Sequence, residues 1–421
     1  MQYRFPPQRL WSLAALPYPN FSDKRLWSLR LHFASRFHCA MNPQIESVDF
    51  SQRPFIAIWE VTQACDLACV HCRASAQPDR HPQELTTAEG KQLIDEIAGM
   101  KVPVFVLTGG DPLKRPDLLE LIAHARSRGV RVSLTPSATP LLTRSRVQQL
   151  KDVGLARLAV SMDGASAQSH DAFRGLSGSF ARTIDAIRWA NDVNLPVQIN
   201  TTFSRRNIGE IDDIVALIES LSITLWSVFF LVPTGRGKLN DLLSAEEFEE
   251  VFARLYALSK TASFDIKTTE AQHYRRFLLQ QRVRERAEGT IVPAAEHVAD
   301  TIGRAPHGLN DGKGFLFVSH VGEVFPSGFL PLSAGNVRTQ PLETIYRHSP
   351  LFRNLRDSAQ LEGKCGACEF KNVCGGSRSR AYALTGNPHG EEPCCSYIPR
   401  GYAMPPASVK SATTLHVLQG A

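Results

Sequence analysis

Short apolar runs alternate with amphipathic segments six times between residue 55 and about residue 260, and this constrains the fold more than any other feature of the chain. The runs at 55–61, 103–108, 130–135, 156–162, 196–202 and 224–232 are partly β-branched, as buried strands are. Helix starts are readable between them. Thr86-x-x-Glu89 is a capping box ahead of Leu93, Ile94 and Ile97 on one face. Pro116 and Asp117 open a second helix and Thr143 a third, and Asn207 precedes Ile211, Ile214, Val215 and Ile218 at helical spacing. Ser244-x-x-Glu247 begins another, with Phe248, Val251, Phe252 and Leu255 on its buried face. Strand and helix in unbroken alternation give a parallel sheet with right-handed crossovers. Six units fall short of the eight of a closed barrel. The expected fold is therefore α/β, a (β/α)6 partial TIM barrel with its chemistry at the C-terminal ends of the strands.

The first strand runs into Cys65-Asp66-Leu67-Ala68-Cys69-Val70-His71-Cys72, which puts three cysteines in one short loop. A cubane iron–sulfur cluster usually takes four cysteines, so three would leave one iron open to another ligand. Zinc is the competing reading, with His71 or a distant residue as fourth ligand, although no second ligand pair lies nearby. A disulfide framework is disfavoured by the odd number and by the lack of a secretory segment. A second group, Cys365-x2-Cys368-x5-Cys374 followed by Cys394 and Cys395, fits a cluster or a zinc ribbon by spacing alone.

Composition narrows the setting. The 421 residues are 43% hydrophobic and 21% charged, ordinary for a globular protein of two domains or so. No apolar run approaches a membrane span, and a net charge of +6 without a basic, aromatic-interleaved stripe argues against nucleic acid as a partner. Clustered cysteines without a signal peptide point to a reducing cytoplasm and metal ligation. Residues 1–40 differ from the rest, with Arg4, Arg9, Lys24, Arg25, Arg30 and Arg36 against the single acid Asp23. They read as a targeting segment or, more plainly, as a start placed too early, with Met41 as the true first residue.

The triplet resembles the signature of the radical S-adenosylmethionine (SAM) enzymes. Gly109-Gly110-Asp111-Pro112 after the second strand is similar to that family's Gly-Gly-Glu-Pro turn, which meets the SAM amino group. Ser161-Met162-Asp163-Gly164 at the end of the fourth strand matches a ribose-contacting position. A local Asx turn explains Asp163 equally well. Asn200 after the fifth strand is a candidate adenosine or substrate contact, and His71 a candidate SAM contact within the loop. Arg236, in Pro233-Thr234-Gly235-Arg236-Gly237, is placed to reach a carboxylate. That loop, with Arg378-Ser379-Arg380-Ala381-Tyr382-Ala383, looks like the radical enzymes of haem and haem d1 synthesis. Asp171-x-Phe173-Arg174-Gly175 also looks family-like, and a structural job accounts for it.

The C-terminal group resembles a SPASM domain, which carries auxiliary 4Fe–4S clusters. Two positions depart from it. Ser327 and Ser377 stand where relatives have cysteines, and full domains use about seven cysteines for two clusters. One auxiliary cluster is therefore implied, on Cys365, Cys368, Cys374 and one of the last pair, with Cys394 preferred. The resemblance further implies a SAM-bound 4Fe–4S cluster on Cys65, Cys69 and Cys72, and reductive cleavage of SAM to a 5′-deoxyadenosyl radical. The radical abstracts hydrogen from a substrate, either a small molecule such as a tetrapyrrole undergoing decarboxylation or side-chain removal, or a ribosomal precursor peptide. A reductant such as flavodoxin or ferredoxin follows, and a non-enzymatic Fe–S or zinc protein is the remaining alternative. No residue declares itself as a substrate-side acid or base. The expected division is a leader at 1–52, the barrel at 53–262, a variable segment at 263–312, the SPASM-like region at 313–400 and a tail at 401–421. Phe315 to Val318 and Val321 to Phe325 are expected to form a hairpin.

Overall fold

A computed structural model describes residues 48–289 and 308–403. All six expected strands form: β1 (Ile56–Glu60), β2 (Val104–Thr108), β3 (Val132–Leu134), β4 (Arg157–Ser161), β5 (Val197–Phe203) and β6 (Leu225–Phe230). They are wrapped by α1 (Thr87–Gly99), α2 (Leu118–Ser127), α3 (Arg144–Asp152), α4 (Ala167–Arg174), α5 (Ser179–Asp192), α6 (Ile211–Glu219) and α7 (Ala245–Leu258). The capping boxes at Thr86 and Ser244 are both made, with the Glu89 and Glu247 side chains returning to the cap amides. Each satisfies donors that a helix start otherwise leaves unpaired.

Two further strands extend the parallel sheet. β7 (Asp265–Thr269) pairs with β6 from Leu225↔Asp265 to Phe229↔Thr269, inside the segment expected to be variable. Its sequence, Asp-Ile-Lys-Thr-Thr, has one strongly apolar residue, so no apolar run announced it. α8 (Tyr274–Ala287) follows. β8 (Phe315–Val318) and β9 (Glu323–Phe325) form the expected antiparallel hairpin, but β8 also pairs in parallel with β1, from Ile56↔Phe315 to Trp59↔Val318. With β10 (Gly335–Asn336) the order is β10-β9-β8-β1-β2-β3-β4-β5-β6-β7. Eight neighbouring strands, β8 through β7, are thus parallel, and the sheet does not close. The fold is the open partial barrel, two strands wider than the sequence showed.

Alternation along the strands sets the two faces. Ala57, Trp59, Phe105, Leu107, Val160, Ile199 and Val228 enter one continuous core with Leu93, Ile97, Leu121, Ile187, Ile214 and Phe252 of the helices. Emptying one such site, for example by Leu107→Ala, costs about 2–5 kcal/mol. Val48 and Phe50 pack on Phe55, Ile56 and Leu309, and the Tyr346 hydroxyl donates to the Phe50 carbonyl at 2.7 Å. Residues 1–47 of the expected leader, and residues 404–421 of the tail, lie outside the described residues. The C-terminal region adds α9 (Leu342–His348), α10 (Pro350–Arg356), α11 (Gly363–Ala367) and α12 (Arg378–Thr385).

Candidate functional site

The loop after β1 is held by the ends of several other elements. Cys65 N–H donates to the Gln77 carbonyl at 2.7 Å, and Val70 N–H to the Phe173 carbonyl at 3.1 Å. Gly110 N–H donates to Thr62 O at 2.9 Å and Asp111 N–H to Ala64 O at 2.6 Å. The approach is so close that a Cβ on Gly110 would lie 2.4 Å from the Ala64 carbonyl oxygen. Beyond β6, Arg236 N–H donates to Cys72 O and its Nε to Cys69 O, both at 2.9 Å. A Cβ on Gly235 (φ 58°) would collide with the Cys72 carbonyl oxygen at 2.4 Å. Gly109-Gly110 and Gly235-Arg236 therefore clasp the cysteine loop, and Arg236 is engaged with carbonyls of that loop. Its Nη2 is buried without a partner.

The three thiols lie in a small apolar cluster with Leu67, Ala76 and Leu176. Cys65 Sγ lies 3.4 Å from the Ser137 hydroxyl and accepts from Leu67 N–H at 3.4 Å. Burial pushes the Cys65 and Cys69 thiols up. Arg174, at the end of α4, opposes this. Burial disfavours its charge, but Cys69, Asp163, Cys65 and Cys72 more than offset that and raise its pKa. A buried cation facing three thiols fits a site that holds thiolates and an anionic group. Sequence reasoning saw Arg174 as scaffolding; only its placement gives it a role at the site.

The carboxylates at the strand ends are turned inward to the scaffold. Asp111 Oδ2 accepts from Thr139 at 2.8 Å and Oδ1 from Leu113 N–H at 3.1 Å, and burial raises its pKa to about 6. Asp163 accepts from Thr202 N–H at 2.8 Å and from Arg174 at 3.2 Å. Both carboxylates thereby pin turns. Ser161, Asn200 and Ser227 are paired in register across β4, β5 and β6 and share one face. The Ser227 hydroxyl is buried without a partner, as expected where a ligand supplies one. It was missed because a serine in an apolar strand carries no motif. The His71 ring packs on Phe173 at 4.5 Å, and burial, then Arg174 and Arg236, hold its pKa well below the ordinary value.

The second cysteine group lines a cavity. Cys365, Cys368, Cys374 and Cys395 face it, with His273, Arg276, Lys364, Lys371 and Glu392. Cys394 does not. Its thiol donates toward the Leu243 carbonyl at 3.7 Å, and the residue belongs to the barrel core. Cys395, and not the expected Cys394, therefore shares the cavity with the other three cysteines; the two lie at a turn closed by Cys395 N–H to the Glu392 carbonyl at 3.4 Å and meet different surroundings. Ser327 and Ser377 meet on one carboxylate: Ser327 Oγ lies 3.4 Å from Glu270 Oε1, and Ser377 Oγ donates to Oε2. The two serines and Glu270 form a buried serine–carboxylate knot, with Arg380 donating to the Glu270 carbonyl and the Asp311 charge nearby. Burial, then the neighbouring Asp311 charge, raises the Glu270 pKa to about 8. Among the described residues no three His, Cys, Asp or Glu side chains converge as on a single ion. A cubane does not require that, since its cysteines sit on separate irons.

An open parallel barrel with three thiols and a buried arginine at its strand ends defines a SAM-dependent radical enzyme, and the comparisons agree. The Radical SAM superfamily matches residues 59–218. An AdoMet-dependent heme synthase of Methanosarcina barkeri is 43% identical over 352 residues, 84% of this chain and 99% of that protein. Another AdoMet-dependent heme synthase, of Nitratidesulfovibrio vulgaris, is 44% identical over 81% of this chain and 92% of its own length. Streptococcus suis SuiB, in a crystal structure with its precursor peptide SuiA, superposes with a TM-score of 0.63 at 15% identity, covering 92% of this chain and 85% of that one. The chain belongs to the radical SAM family. It is an enzyme that uses a 4Fe–4S cluster and SAM, and the reading as a purely structural metal protein is set aside.

Proposed function

We propose that this radical SAM enzyme acts on a carboxylate-bearing tetrapyrrole and removes or oxidatively decarboxylates its side chains. The observation that carries the reading is near full-length similarity, above 40% identity, to two proteins named as heme synthases. Cys65, Cys69 and Cys72 hold the SAM cluster, and Cys365, Cys368, Cys374 and Cys395 hold one auxiliary cluster in a SPASM-like region of residues 313–400. When bound, the first cluster and SAM supply a hydrogen-abstracting 5′-deoxyadenosyl radical. Arg174 keeps positive charge beside the three thiolates, and Ser161, Asn200 and Ser227 offer hydroxyl and amide groups to the nucleoside. Asp111 and Asp163 fix the turns that carry these contacts, while the apolar wall of Leu67, Ala76 and Leu176 excludes water. A reducing cytoplasm and a flavodoxin or ferredoxin as electron source complete the proposal. No helix of the described residues is long and apolar enough to cross a membrane.

The test is anaerobic reconstitution with SAM, a reductant and an iron porphyrin carrying propionate side chains. Formation of 5′-deoxyadenosine in step with porphyrin mass loss is expected. An unchanged porphyrin, with modification of a precursor peptide instead, would favour the peptide-maturase alternative; the likeness to SuiB concerns the fold alone.

A further inference from the structure

Lys364 and Lys371 line the C-terminal cysteine cavity and Arg378 lies beside Cys365, and among the described residues none of the three forms an ion pair with a carboxylate. Lys364 Nζ donates to the Cys395 carbonyl at 2.6 Å, and Lys371 Nζ to the Gly366 carbonyl at 3.2 Å. Arg378 is 1% exposed, with Nη1 donating to the Pro388 and Gly390 carbonyls at 3.0 and 2.6 Å and Nε to the Gly376 carbonyl at 3.3 Å. Its remaining nitrogen, Nη2, points at Cys365 Sγ from 3.9 Å. Two other cavity charges are already answered. Arg276 is paired with Glu249, and both Glu392 carboxylate oxygens accept from Arg380 Nη1, at 3.1 and 3.2 Å, besides the Cys394 and Ser377 amides. Asp311 is the carboxylate whose charge Arg378 feels, but its oxygen is committed to Ser379 N–H and Oγ at 2.7 and 2.8 Å. Cys365 Sγ also accepts from Glu392 N–H at 3.2 Å, and Cys374 Sγ from Gly376 N–H at 3.4 Å.

Four cysteines complete a cubane, so this site has no open iron with which to chelate a substrate. What the protein can still set there is electron affinity, through charge and hydrogen bonds at the sulfurs. Adding an electron makes the group more negative. A buried guanidinium beside a ligating sulfur, reinforced by two lysines held only by carbonyls, favours that reduced state. We infer that Arg378 is the residue that sets the reduction potential of the C-terminal cysteine site, holding it high enough to take up the electron a decarboxylating substrate must shed. In that reaction a hydrogen atom leaves the carbon next to the carboxymethylene. The C–CO2 bond then breaks, a vinyl group forms, and one electron remains to be accepted. Arg378 is a positioning residue: it touches neither substrate nor the reacting atoms. The inference rests on the reading that this cavity holds a 4Fe–4S cluster.

The experiment is an EPR-monitored redox titration of the reconstituted full chain, with iron content measured alongside. Arg378→Met is expected to retain both clusters and to lower the midpoint of the C-terminal cluster enough to change the reduced-to-oxidised ratio at least tenfold, 59 mV for one electron. Arg378→Lys should restore most of that shift. SAM cleavage without substrate should stay unchanged. Because Arg378 is buried, the milder Lys364→Met serves as a second probe, with a smaller shift of the same sign. A full iron complement with unmoved midpoints in Arg378→Met, or in Lys364→Met if Arg378→Met does not fold, overturns the inference. A wild-type protein with only one cluster would instead defeat the cluster reading on which it stands.

Discussion

The two cysteine regions of this protein are built by opposite strategies. The loop of Cys65, Cys69 and Cys72 is shaped entirely by its neighbours: backbone hydrogen bonds from Gly110, Asp111 and Arg236, and the Phe173 carbonyl behind Val70, fix its course. The group of Cys365, Cys368, Cys374 and Cys395 sits among short turns and the five-residue helix α11, with Cys365 and Cys374 joined mainly by the cavity they share. A scaffold that shapes three ligands in advance can leave the fourth position open for chemistry. A segment with little apolar core of its own depends on what it binds for its order, and four ligands close it. Openness in the first site is paid for by the barrel.

That contrast can be broken by mutation. Changing Cys65, Cys69 and Cys72 together to alanine should abolish SAM cleavage and remove one of two clusters, about four of eight iron atoms. The far-ultraviolet circular dichroism should be unchanged, since the loop is held by its backbone. Persistent 5′-deoxyadenosine would refute the assignment.

Next in size, Cys395→Ala or Cys368→Ala should eliminate the second cluster and product turnover, while some uncoupled SAM cleavage survives. Thermal scans should show the C-terminal region loosened. Cys394→Ala is the sharpening control, with full iron, full turnover and a stability loss of about 1 kcal/mol for a small buried side chain. If the phenotypes of the two neighbours were exchanged, the reassignment to Cys395 would be wrong.

A third prediction concerns pH. Glu270 has a folded pKa raised to about 8 against an ordinary 4.5, so the folded state binds its proton more tightly than the unfolded state does. Its contribution to stability is complete below pH ~4.5 and declines as pH rises toward 8. Glu270→Gln should flatten the fall in melting temperature across that window, and an unaltered slope would show that the proton is not held there. The smallest effect is expected at the other end of the chain. A protein starting at Met41 should match the full chain in activity and melting temperature, because it keeps the packing of Val48 and Phe50 on the core. A drop of several degrees on that truncation would contradict it.

Much of the barrel was legible because its signals are local. Thr86 with Glu89 and Ser244 with Glu247 announce helices within four residues, and each of the first six strands is apolar enough to stand out. β7 was not legible, because its Lys267 and Asp265 follow no apolar alternation. The site residues divide in the same way. Cysteine spacing is a local pattern, whereas the roles of Arg174 and Ser227 come from elements brought together across the sheet. Cys394 and Cys395 are equivalent in sequence. They are told apart by the Glu392 carboxylate, which takes the Cys394 amide at 3.0 Å. The Asp111 carboxylate also pins its turn through Leu113 N–H and reaches Thr139, which its motif does not show.

The pairing of β8 with β1 has a consequence for the order of biosynthesis. β1 leads directly into the cysteine loop, yet one of its two hydrogen-bonding neighbours is made only after residue 315 has been translated. Until then one side of β1 presents unpaired amides and carbonyls, the kind of edge that invites association with other chains. Contacts so distant in sequence form late. A nascent chain stopped near residue 300 should therefore aggregate or recruit chaperones. On the proposed assignment, insertion of iron at the N-terminal loop is expected after the C-terminal third has left the ribosome, so that the first cysteines of the site written in the gene are among the last to be secured.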